Sequence, residues 1–360
     1  MLEYFKGKTI FITGNTGFKG SWLTLWLQEL GAHVVGYSLA PPTDPNLFDL
    51  TNAGKNITQI IGDIRDFNKL QEALEKNQPS TVFHLAAQPI VLHSYDLPKE
   101  TFDTNVSGTI NLLEAARHTS SVKTIVIVTT DKVYENKEWL WGYRENDPLG
   151  FHEPYSTSKA MVELAVGSYS KTILQGKIAV VTARAGNVIG GGDFSDMRLI
   201  PDAIKALLQK EPIRVRNPQS IRPWFHVLDA LHGYLLLAKN VTENPDYFSG
   251  AWNFGPANNE AIQVQTIIDN IIELWGDGDW IDTSNNNSKT EMNMLRLNWE
   301  KAEANLQWRP NYKWEQALSE TIEWYKSFAN GGDLRRISLN QIEKFCEQWG
   351  DKTCNFVRPL

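Results

Sequence analysis

Tyr155 and Lys159 stand four residues apart, at the start of a segment with the apolar spacing of an amphipathic helix. One helical turn separates the pair, so both side chains can lie on one face of that helix. A phenol near an ammonium group ionises more readily, because the cation stabilises the phenolate. The pair therefore predicts a base that removes a proton from an alcohol near neutral pH, although the same spacing also fits a surface pair.

A hydroxyl closes the apolar stretch Lys123–Thr130, which predicts a strand ahead of the tyrosine in the chain. Asp131 and Lys132 follow that strand directly. Thr130, Asp131 and Lys132 supply a hydroxyl, a carboxylate and an amine, which are groups that move protons in enzyme sites. We expect this strand end and the Tyr155 helix to form one site.

A glycine-rich turn links the first predicted strand, Lys8–Thr13, to the first predicted helix, Phe18–Leu30. Its sequence has glycine at every third position: Gly14-Asn15-Thr16-Gly17-Phe18-Lys19-Gly20. Glycines in such a turn let the backbone approach a pyrophosphate, which lies at the helix N-terminus, where free N–H groups favour negative charge. The turn predicts a dinucleotide site.

The choice between NAD and NADP is not settled by the second predicted strand, His33–Ser38. This strand is followed neither by the usual carboxylate for the ribose of NAD nor by an arginine for a 2′-phosphate. Asp63, at the end of the next strand Ile57–Ile64, has two interpretations. It accepts a hydrogen bond from the adenine amino group, or it caps the helix Phe67–Lys76.

Two further predicted strands, Thr81–Ala87 and Lys177–Ala185, continue a regular alternation with helices. The alternation predicts an α/β fold with a doubly wound parallel sheet of Rossmann type, whose ligands bind across the carboxyl ends of the strands. Small or polar residues mark those ends at Gly14, Asp63, Ala87, Thr130 and Asn187. In the helix Thr101–His118, the amide of Asn105 either braces backbone near the site or faces solvent.

The sequence also suggests a division into two domains. We expect residues 1–185 to form the dinucleotide-binding domain, with residues 223–258 returning to it through a short strand at Trp252–Pro256. Residues 186–222 and 259–360 would form a smaller C-terminal lobe that binds the substrate. Arginines cluster in a loop of this lobe, where they can bind phosphate bidentately or form a solvated basic patch: Arg214, Arg216 and Arg222.

Composition excludes several classes of partner. The chain of 360 residues carries a net charge of -7, which argues against nucleic acid or an anionic membrane as its partner. No apolar stretch has the length that crosses a bilayer, and the N-terminal residues contain no signal-like run. Cys346 and Cys354 lack the spacing of a metal site, so we expect reduced thiols, a cytoplasmic protein and no bound metal.

Eight motifs together carry a family resemblance: Gly14-x-x-Gly17-x-x-Gly20, Gly62-Asp63-Ile64-Arg65-Asp66, His84-Leu85-Ala86-Ala87-Gln88, Ser94-Tyr95, Thr104-Asn105-Val106-x-Gly108-Thr109, Thr130-Asp131-Lys132-Val133-Tyr134-Glu135-Asn136, Tyr155-Ser156-x-Ser158-Lys159 and Arg184-Ala185-Gly186-Asn187-Val188. With them the whole chain resembles the extended short-chain dehydrogenase/reductase family. Within that family it resembles the sugar-nucleotide 4,6-dehydratases, closest to those that act on CDP-glucose, because Asp131 and Lys132 follow the threonine.

The resemblance implies an NAD-dependent lyase that converts CDP-glucose to CDP-4-keto-6-deoxyglucose. The sugar would be oxidised at C4, lose water across C5 and C6, and receive hydride at C6. Tyr155 would take the 4-hydroxyl proton, with Lys159 and Thr130 beside it. Asp131 would be the acid that expels water. Lys132 would be the base at C5, or would polarise the ketone while another group or a water acts as the base.

The same resemblance assigns binding residues and an assembly. The residues implied for NAD are Gly14, Gly17, Phe18, Lys19, Gly20, Asp63, Ile64, Leu85, Ala86, Ala87, Tyr155 and Lys159. Those implied for the nucleotide sugar are Asn105, Asn187, Arg198, Arg222 and Arg296. Related enzymes imply a homodimer or homotetramer, formed through the helices Thr101–His118 and Tyr155–Ser168.

Three other functions stay open at this point. A sugar-nucleotide 4-epimerase needs transient oxidation at C4 alone, which would leave the Asp131-Lys132 pair unexplained. A 4,6-dehydratase for another nucleotide sugar would share these motifs. A dinucleotide-binding protein without catalysis should have lost one of the three residues Thr130, Tyr155 and Lys159, and all are present.

Overall fold

The computed structural model describes residues 2–150, 152–257, 262–284 and 295–350. Its strands are β1 Thr9–Thr13, β2 His33–Ser38, β3 Thr58–Ile61, β4 Thr81–His84, β5 Thr124–Val128, β6 Ala179–Ala185, β7 Val188–Ile189, β8 Ile213–Val215, β9 Ile221–Arg222, β10 Phe225–His226, β11 Gly250–Phe254, β12 Ile262–Gln263 and β13 Trp280–Asp282. Its α-helices are α1 Phe18–Glu29, α2 Leu47–Leu50, α3 Phe67–Asn77, α4 Val91–Asp96, α5 Pro98–Phe102, α6 Gly108–Arg117, α7 Pro154–Ser168, α8 Leu199–Gln209, α9 Val227–Glu243, α10 Pro245–Phe248, α11 Val264–Trp275, α12 Glu300–Leu306, α13 Trp314–Ala329 and α14 Leu334–Trp349. Short 3-10 helices span Leu2–Phe5 and Asp131–Val133, and π-helical turns span Asp103–Ser107 and Tyr169–Ile173.

The central sheet has seven strands in the order β11-β6-β5-β4-β1-β2-β3, and every neighbouring pair is parallel. The strand order changes direction between β1 and β4, which places a crevice at their carboxyl ends. The predicted α/β fold with a doubly wound parallel sheet is therefore confirmed. Three small two-stranded sheets lie outside it.

Alternating side chains of the strands build a core on each face of the sheet, because successive residues of a strand point to opposite sides. Ile10 and Ile12 pack in one core with Trp22 of α1. Phe11, between them, packs in the other core with Tyr37. Helices α1 and α9 cover the first face, and α3, α6 and α7 cover the second.

Helix α7 has a defined start, which fixes the residues of its first turn. Pro154 occupies the first turn, where a missing N–H costs nothing, and Glu153 caps the helix. The Glu153 carboxylate accepts hydrogen bonds from the backbone N of Tyr155 at 2.6 Å and of Ser156 at 2.9 Å. The buried face of α7 has i, i+4 spacing and includes Tyr155, Lys159, Val162, Glu163 and Val166.

Two predictions need correction. The helix predicted over Thr101–His118 runs without a break through α5, the π-helical turn Asp103–Ser107 and α6, so it begins earlier and ends at Arg117. The strand predicted over Ile57–Ile64 spans only Thr58–Ile61, and Asp66 rather than Asp63 caps α3 by accepting from the backbone N of Lys69. The expected reduced state of Cys346 is also wrong, since Cys346 is disulfide-bonded. Cys354 lies outside the described residues.

The predicted return of the chain to the sheet is present as β11, whose Trp252 pairs with Ala183 of β6. The last helix, α14, packs on α13, where the Gln341 side chain donates to the Glu320 carbonyl, and also on α1, through an edge contact of Phe345 with Trp26. None of the described helices is long and apolar enough to cross a membrane.

Candidate active site

The carboxyl end of β5 and the start of α7 meet in the interior of the protein. Thr130, Asp131 and Tyr155 are all buried there, with exposed fractions of 6%, 3% and 8%. The 3-10 helix Asp131–Val133 turns the chain directly after β5, and Thr130 caps it by accepting a hydrogen bond from the Lys132 backbone N at 3.3 Å. The structure thus brings together the strand end and the helix start, as the sequence predicts.

The hydroxyl of Thr130 lies beside the carboxylate of Asp131. It donates to Asp131 Oδ1 at 3.0 Å. The Asp131 carboxylate also faces Gly186, where a Cβ would lie 3.2 Å from Oδ2. Pro223 Cγ would lie equally close to such a Cβ, so Gly186 lets the chain pass close to the carboxylate.

Burial opposes the ionisation that is predicted for the Tyr155 phenol. Burial raises the pKa of Tyr155 to about 12, although the Thr130 hydrogen bond and the charge of Arg198 act in the opposite direction. Lys159 Nζ donates to the Val128 carbonyl at 3.2 Å. Burial lowers the pKa of Lys159 to about 8, and the Glu163 carboxylate raises it in part.

Lys19, in the glycine-rich turn, shares this interior with several charges. Burial, together with the charges of Arg198 and Lys159, lowers the pKa of Lys19 to about 7. The carboxylates of Asp131 and Asp193 act in the opposite direction. The first turn of α1 therefore lies within electrostatic reach of two catalytic candidates, Asp131 and Lys159.

The glycine-rich turn has the close backbone approach that a dinucleotide needs. A Cβ at Gly14 would lie 2.7 Å from the Ala86 backbone N, and one at Gly20 would lie 2.1 Å from the Gly14 carbonyl O. Gly14 also has a φ of +72°, which favours glycine. In the described chain no side chain caps α1, whose first N–H groups are therefore open to an anion. These features fit a pyrophosphate.

The adenosine side of the crevice has a polar lining without a carboxylate on β2. The Ser38 hydroxyl, at the end of β2, donates to Asn15 and to Thr16. Asp63 accepts a bidentate pair of hydrogen bonds from Arg65 and one from the Arg65 backbone N. The Arg65 hydrogen bonds lower the pKa of Asp63. The contact of Asp63 with adenine stays a prediction.

Asn105 is placed where it braces backbone, so the expected substrate contact is not supported. Its Oδ1 accepts from the Gln88 backbone N at 2.8 Å. Its Nδ2 donates to the Gln88 carbonyl at 3.2 Å and to the Ser158 hydroxyl at 2.9 Å. Asn105 is 1% exposed, and these contacts use both its N–H groups.

The candidate diphosphate ligands lie at different depths. Arg198, at the start of α8, forms an ion pair of 2.8 Å with the buried Asp193 and acts electrostatically on Tyr155. Arg222 is half-buried in β9. The Asn187 carbonyl accepts from the backbone N of Phe225. The Arg296 guanidinium donates to the Leu140 carbonyl at 3.5 Å.

Comparison with known proteins decides the family. The family model described as GDP-mannose 4,6 dehydratase matches residues 11–321. The chain belongs to the GDP-mannose 4,6 dehydratase family. A CDP-glucose 4,6-dehydratase from Salmonella typhimurium is 42% identical over 350 residues, which cover 95% of this chain and 97% of that protein.

Solved structures agree with this family in their fold. A dTDP-glucose 4,6-dehydratase from Streptomyces venezuelae, solved with NAD, superposes with a TM-score of 0.77 at 22% identity, covering 90% of this chain and 98% of that one. A UDP-glucose 4-epimerase from Thermotoga maritima gives a TM-score of 0.77 at 22% identity, covering 89% and 99%. Dehydratases and epimerases share this architecture, so the fold does not separate the two reactions.

The family places the chain among the extended short-chain dehydrogenases/reductases, as the motifs indicate. Sequence reasoning missed two buried charges at this site, Glu163 and Asp193. Glu163 lies one turn after Lys159, and this i, i+4 spacing was the available signal. Among the described residues, no group of three or more His, Cys, Asp or Glu could hold a metal ion.

Proposed function

We propose that this protein dehydrates CDP-glucose to CDP-4-keto-6-deoxyglucose with NAD as its cofactor. The observation that carries the proposal is the buried Asp131 carboxylate, hydrogen-bonded to Thr130 and within electrostatic reach of the buried Tyr155. An epimerase that oxidises C4 transiently needs the tyrosine but no acid at C6. The near-full-length similarity to a CDP-glucose 4,6-dehydratase supports the same assignment.

The residues present fit NAD. The tight approach of Gly14 to Ala86 and the open first turn of α1 suit its pyrophosphate, and Lys19 adds a cation there. Phe18, Gly17, Leu85, Ala87, Asp63 and Ile64 complete the proposed contacts. When bound, NAD takes hydride from C4 of the sugar and later returns it to C6.

Tyr155 removes the proton of the 4-hydroxyl in this proposal. Because burial disfavours the phenolate, the nearby cations have to stabilise it at the moment of proton transfer. Lys159, held against the Val128 carbonyl, is one such cation, and Arg198 is another. Thr130 fixes the orientation of the phenol.

Asp131 and Lys132 carry out the elimination. The 4-ketone acidifies the proton on C5, since the carbanion is delocalised into the carbonyl. Lys132 removes that proton, and Asp131 gives a proton to the departing 6-hydroxyl. Lys132 returns a proton to C5 after hydride reaches C6. Both residues lie in the 3-10 turn that follows β5.

Asn187, Arg198, Arg222 and Arg296 would hold the nucleotide diphosphate, with Arg198 oriented by Asp193. These residues lie in the proposed substrate lobe of residues 186–222 and 259–360, beside the dinucleotide domain of residues 1–185. Arg198 is the strongest of the set, because an ion pair already orients its guanidinium.

A homodimer through α7 is part of the proposal. Met161 and Leu164 are exposed on this helix, with fractions of 43% and 66%. Leu97, at the N-terminus of α5 beside it, is 52% exposed. Apolar side chains on adjacent helices suit an interface between two copies of the chain.

The test is to incubate the protein with NAD and CDP-glucose and to identify the product by mass spectrometry and NMR. We expect loss of one water and a 4-keto-6-deoxy sugar. Parallel reactions with UDP-, dTDP- and GDP-sugars rank the enzyme's preference among nucleotide bases. CDP-glucose is expected to have the highest kcat/KM. A product of unchanged mass with inverted C4 configuration would instead show an epimerase.

A further inference from the structure

The carboxyl end of β2 is the place where dinucleotide-binding folds usually carry an acidic residue for the adenosine ribose. In this chain that place holds Ser38, the last residue of β2. The next five residues, Leu39 to Thr43, are uncharged, and the first carboxylate is Asp44. The contact that ordinarily separates NAD from NADP is therefore replaced by something else.

Ser38 faces the glycine-rich turn. Side chains alternate along a strand, so Gly36 and Ser38 lie on the same face of the sheet. Asn15 packs against Gly36 on that face, where a Cβ would come within 2.3 Å of the Asn15 amide nitrogen. The Ser38 hydroxyl lies 3.1 Å from Asn15 Oδ1 and 3.0 Å from Thr16 Oγ1. The end of β2 and the turn that approaches the pyrophosphate therefore meet at Ser38.

The hydrogen bonds at this meeting point join neutral groups. The Thr16 hydroxyl donates to the Leu39 carbonyl at 3.0 Å. The Asn15 amide donates to Gln59 Oε1 of β3 at 2.6 Å. A hydroxyl has one proton and two lone pairs, so Ser38 and Thr16 can still accept a hydrogen bond from a ribose hydroxyl. Because these side chains are not ionised, they neither repel a phosphate nor pair with one.

The charged pair that follows β3 is engaged within itself. Arg65 donates to both carboxylate oxygens of Asp63, with Nε at 3.0 Å and Nη2 at 2.6 Å. This pairing occupies the carboxylate that a ribose hydroxyl would need and the guanidinium that a 2′-phosphate would need. Leu39 is 56% exposed and Ala40 is exposed beside it, so a phosphate at this edge would keep much of its water.

We propose that this chain binds the adenosine ribose through Ser38 and Thr16 and that it accepts NADP nearly as well as NAD. A carboxylate at the end of β2 would favour the 2′-hydroxyl of NAD by a charge-assisted hydrogen bond and would repel the 2′-phosphate of NADP. The two hydroxyls do neither, and the exposed edge removes little water from the phosphate. The inference rests on the cofactor site of the proposed function and extends it to a second dinucleotide.

Calorimetric titration of the full-length protein with NAD and with NADP tests the inference without any substitution. We expect the two dissociation constants to differ by less than about tenfold. Their ratio should change little between low and high salt, because the described side chains around Ser38 are uncharged. A dissociation constant for NADP that exceeds that for NAD by more than about tenfold overturns the inference.

Ser38→Asp supplies the missing carboxylate. It should raise the dissociation constant of NADP at least about 100-fold and lower that of NAD, and the effect on NADP should weaken at high salt. Ser38→Ala removes the hydroxyl without adding charge and should weaken both dinucleotides alike, by up to about tenfold. Ala40→Asp replaces Ser38→Asp if that variant does not fold. The control for net charge is Ser120→Asp, at an exposed position before β5, which should leave both constants unchanged.

These results distinguish the inference from the proposed function. An unchanged constant for NADP in Ser38→Asp would show that Ser38 does not lie at the ribose, and the inference would be wrong. A protein that binds neither dinucleotide contradicts both the inference and the proposed function. Similar binding of NAD and NADP, without dehydration of any nucleotide sugar, supports the ribose assignment and contradicts the proposed function alone.

Discussion

Thr130 holds the turn that follows β5, because its hydroxyl donates and accepts at the same time. Its Oγ1 donates to the Asp131 carboxylate and accepts from the Lys132 backbone N. A serine could keep these contacts, whereas valine could keep the volume alone.

Gly20 has no space for a side chain. A Cβ there would lie 2.1 Å from the Gly14 carbonyl O, so we expect Gly20→Ala to weaken NAD binding at least about tenfold. Calorimetric titration with NAD measures this loss. The matched control is Gly167→Ala on α7, whose Cβ meets no other described atom within 4 Å. That change should stabilise the helix by about 0.5–1 kcal/mol, and unchanged NAD binding by Gly20→Ala would contradict the proposed turn.

Lys132→Gln tests the proposed base at C5. Oxidation at C4 should still occur in this variant, but solvent deuterium should no longer enter C5, and dehydration should fall by about 100-fold or more. Mass spectrometry of the sugar and absorbance of reduced cofactor measure the two steps. Lys137→Gln, which removes an exposed lysine paired with Glu135 at 3.5 Å, is the control. Retained C5 exchange in Lys132→Gln would assign the base to another group.

Among the elements, α7 and β6 are joined by a buried ion pair beside the site. Glu163 accepts from Arg184 at 3.0 and 2.8 Å, and both side chains are 4% exposed. Glu163 also accepts from the hydroxyls of Thr129 and Thr182. The helix that carries Lys159 is thereby fixed to the strand end that carries the catalytic threonine.

Glu163→Gln should destabilise the protein by about 3–5 kcal/mol, because it leaves the Arg184 charge buried and unpaired. The double variant Glu163→Gln with Arg184→Met should recover most of that loss, as measured by urea unfolding. The control is Glu320→Gln. It removes a buried carboxylate that is paired with Lys344 on the C-terminal helices, away from the active site. A double variant no more stable than Glu163→Gln would show that the ion pair is not the cause.

The same variants should change the pH dependence of catalysis. Glu163 raises the pKa of Lys159, which is about 8 in the wild type, so removal of the carboxylate lowers it. Activity that needs the ammonium form is lost as pH rises through that pKa. The alkaline limb of kcat/KM should therefore move to lower pH in Glu163→Gln and in the double variant, but not in Glu320→Gln. An alkaline limb at the same pH in Glu163→Gln would show that Glu163 does not raise the pKa of Lys159.

The sequence predicted the strand ends well, because glycine, threonine and charged residues interrupt apolar stretches there. It therefore predicted that Thr130, Asp131, Tyr155 and Lys159 would meet. It could not predict the Arg184–Glu163 pair, which joins elements that become neighbours only through the fold. The raised pKa of Tyr155 was missed for the same reason, since burial is a property of the packed molecule.

The π-helical turn Asp103–Ser107 was likewise beyond the pattern of apolar residues. The helix is continuous through that turn, as predicted, but the extra residue of the turn leaves no mark in the sequence. The Asn105 amide within the turn bonds the Gln88 backbone, which becomes its neighbour only through the fold. The role of Asn105 as a brace follows from the same contacts.

At the scale of the whole molecule, an acidic protein encloses a cationic interior. The net charge is -7, yet Lys19, Lys159 and Arg198 lie close enough to interact electrostatically at the carboxyl edge of the sheet. Such a local concentration of positive charge suits two diphosphates, one of the cofactor and one of the sugar nucleotide.

The proposed homodimer can be tested through its apolar helix face. Leu164→Glu places a charge on an exposed side chain of α7 and should convert a dimer to a monomer, because the charge would be buried at the interface. Light scattering after size-exclusion chromatography measures the mass. Leu208→Glu, on a 40% exposed side chain of α8, is the control and should stay dimeric. A wild-type monomer, or an unchanged mass for Leu164→Glu, would place the assembly elsewhere.

The most direct test of the central claim is the fate of the hydrogen on C4. CDP-glucose deuterated at C4 should be incubated with the protein and NAD in ordinary water, and the product examined by NMR. We predict that the deuterium appears in the C6 methyl group of a 4-keto sugar, because hydride leaves C4 and returns to C6 of the same molecule. Deuterium retained at C4 of a sugar with inverted configuration and an intact C6 hydroxyl would contradict the dehydratase.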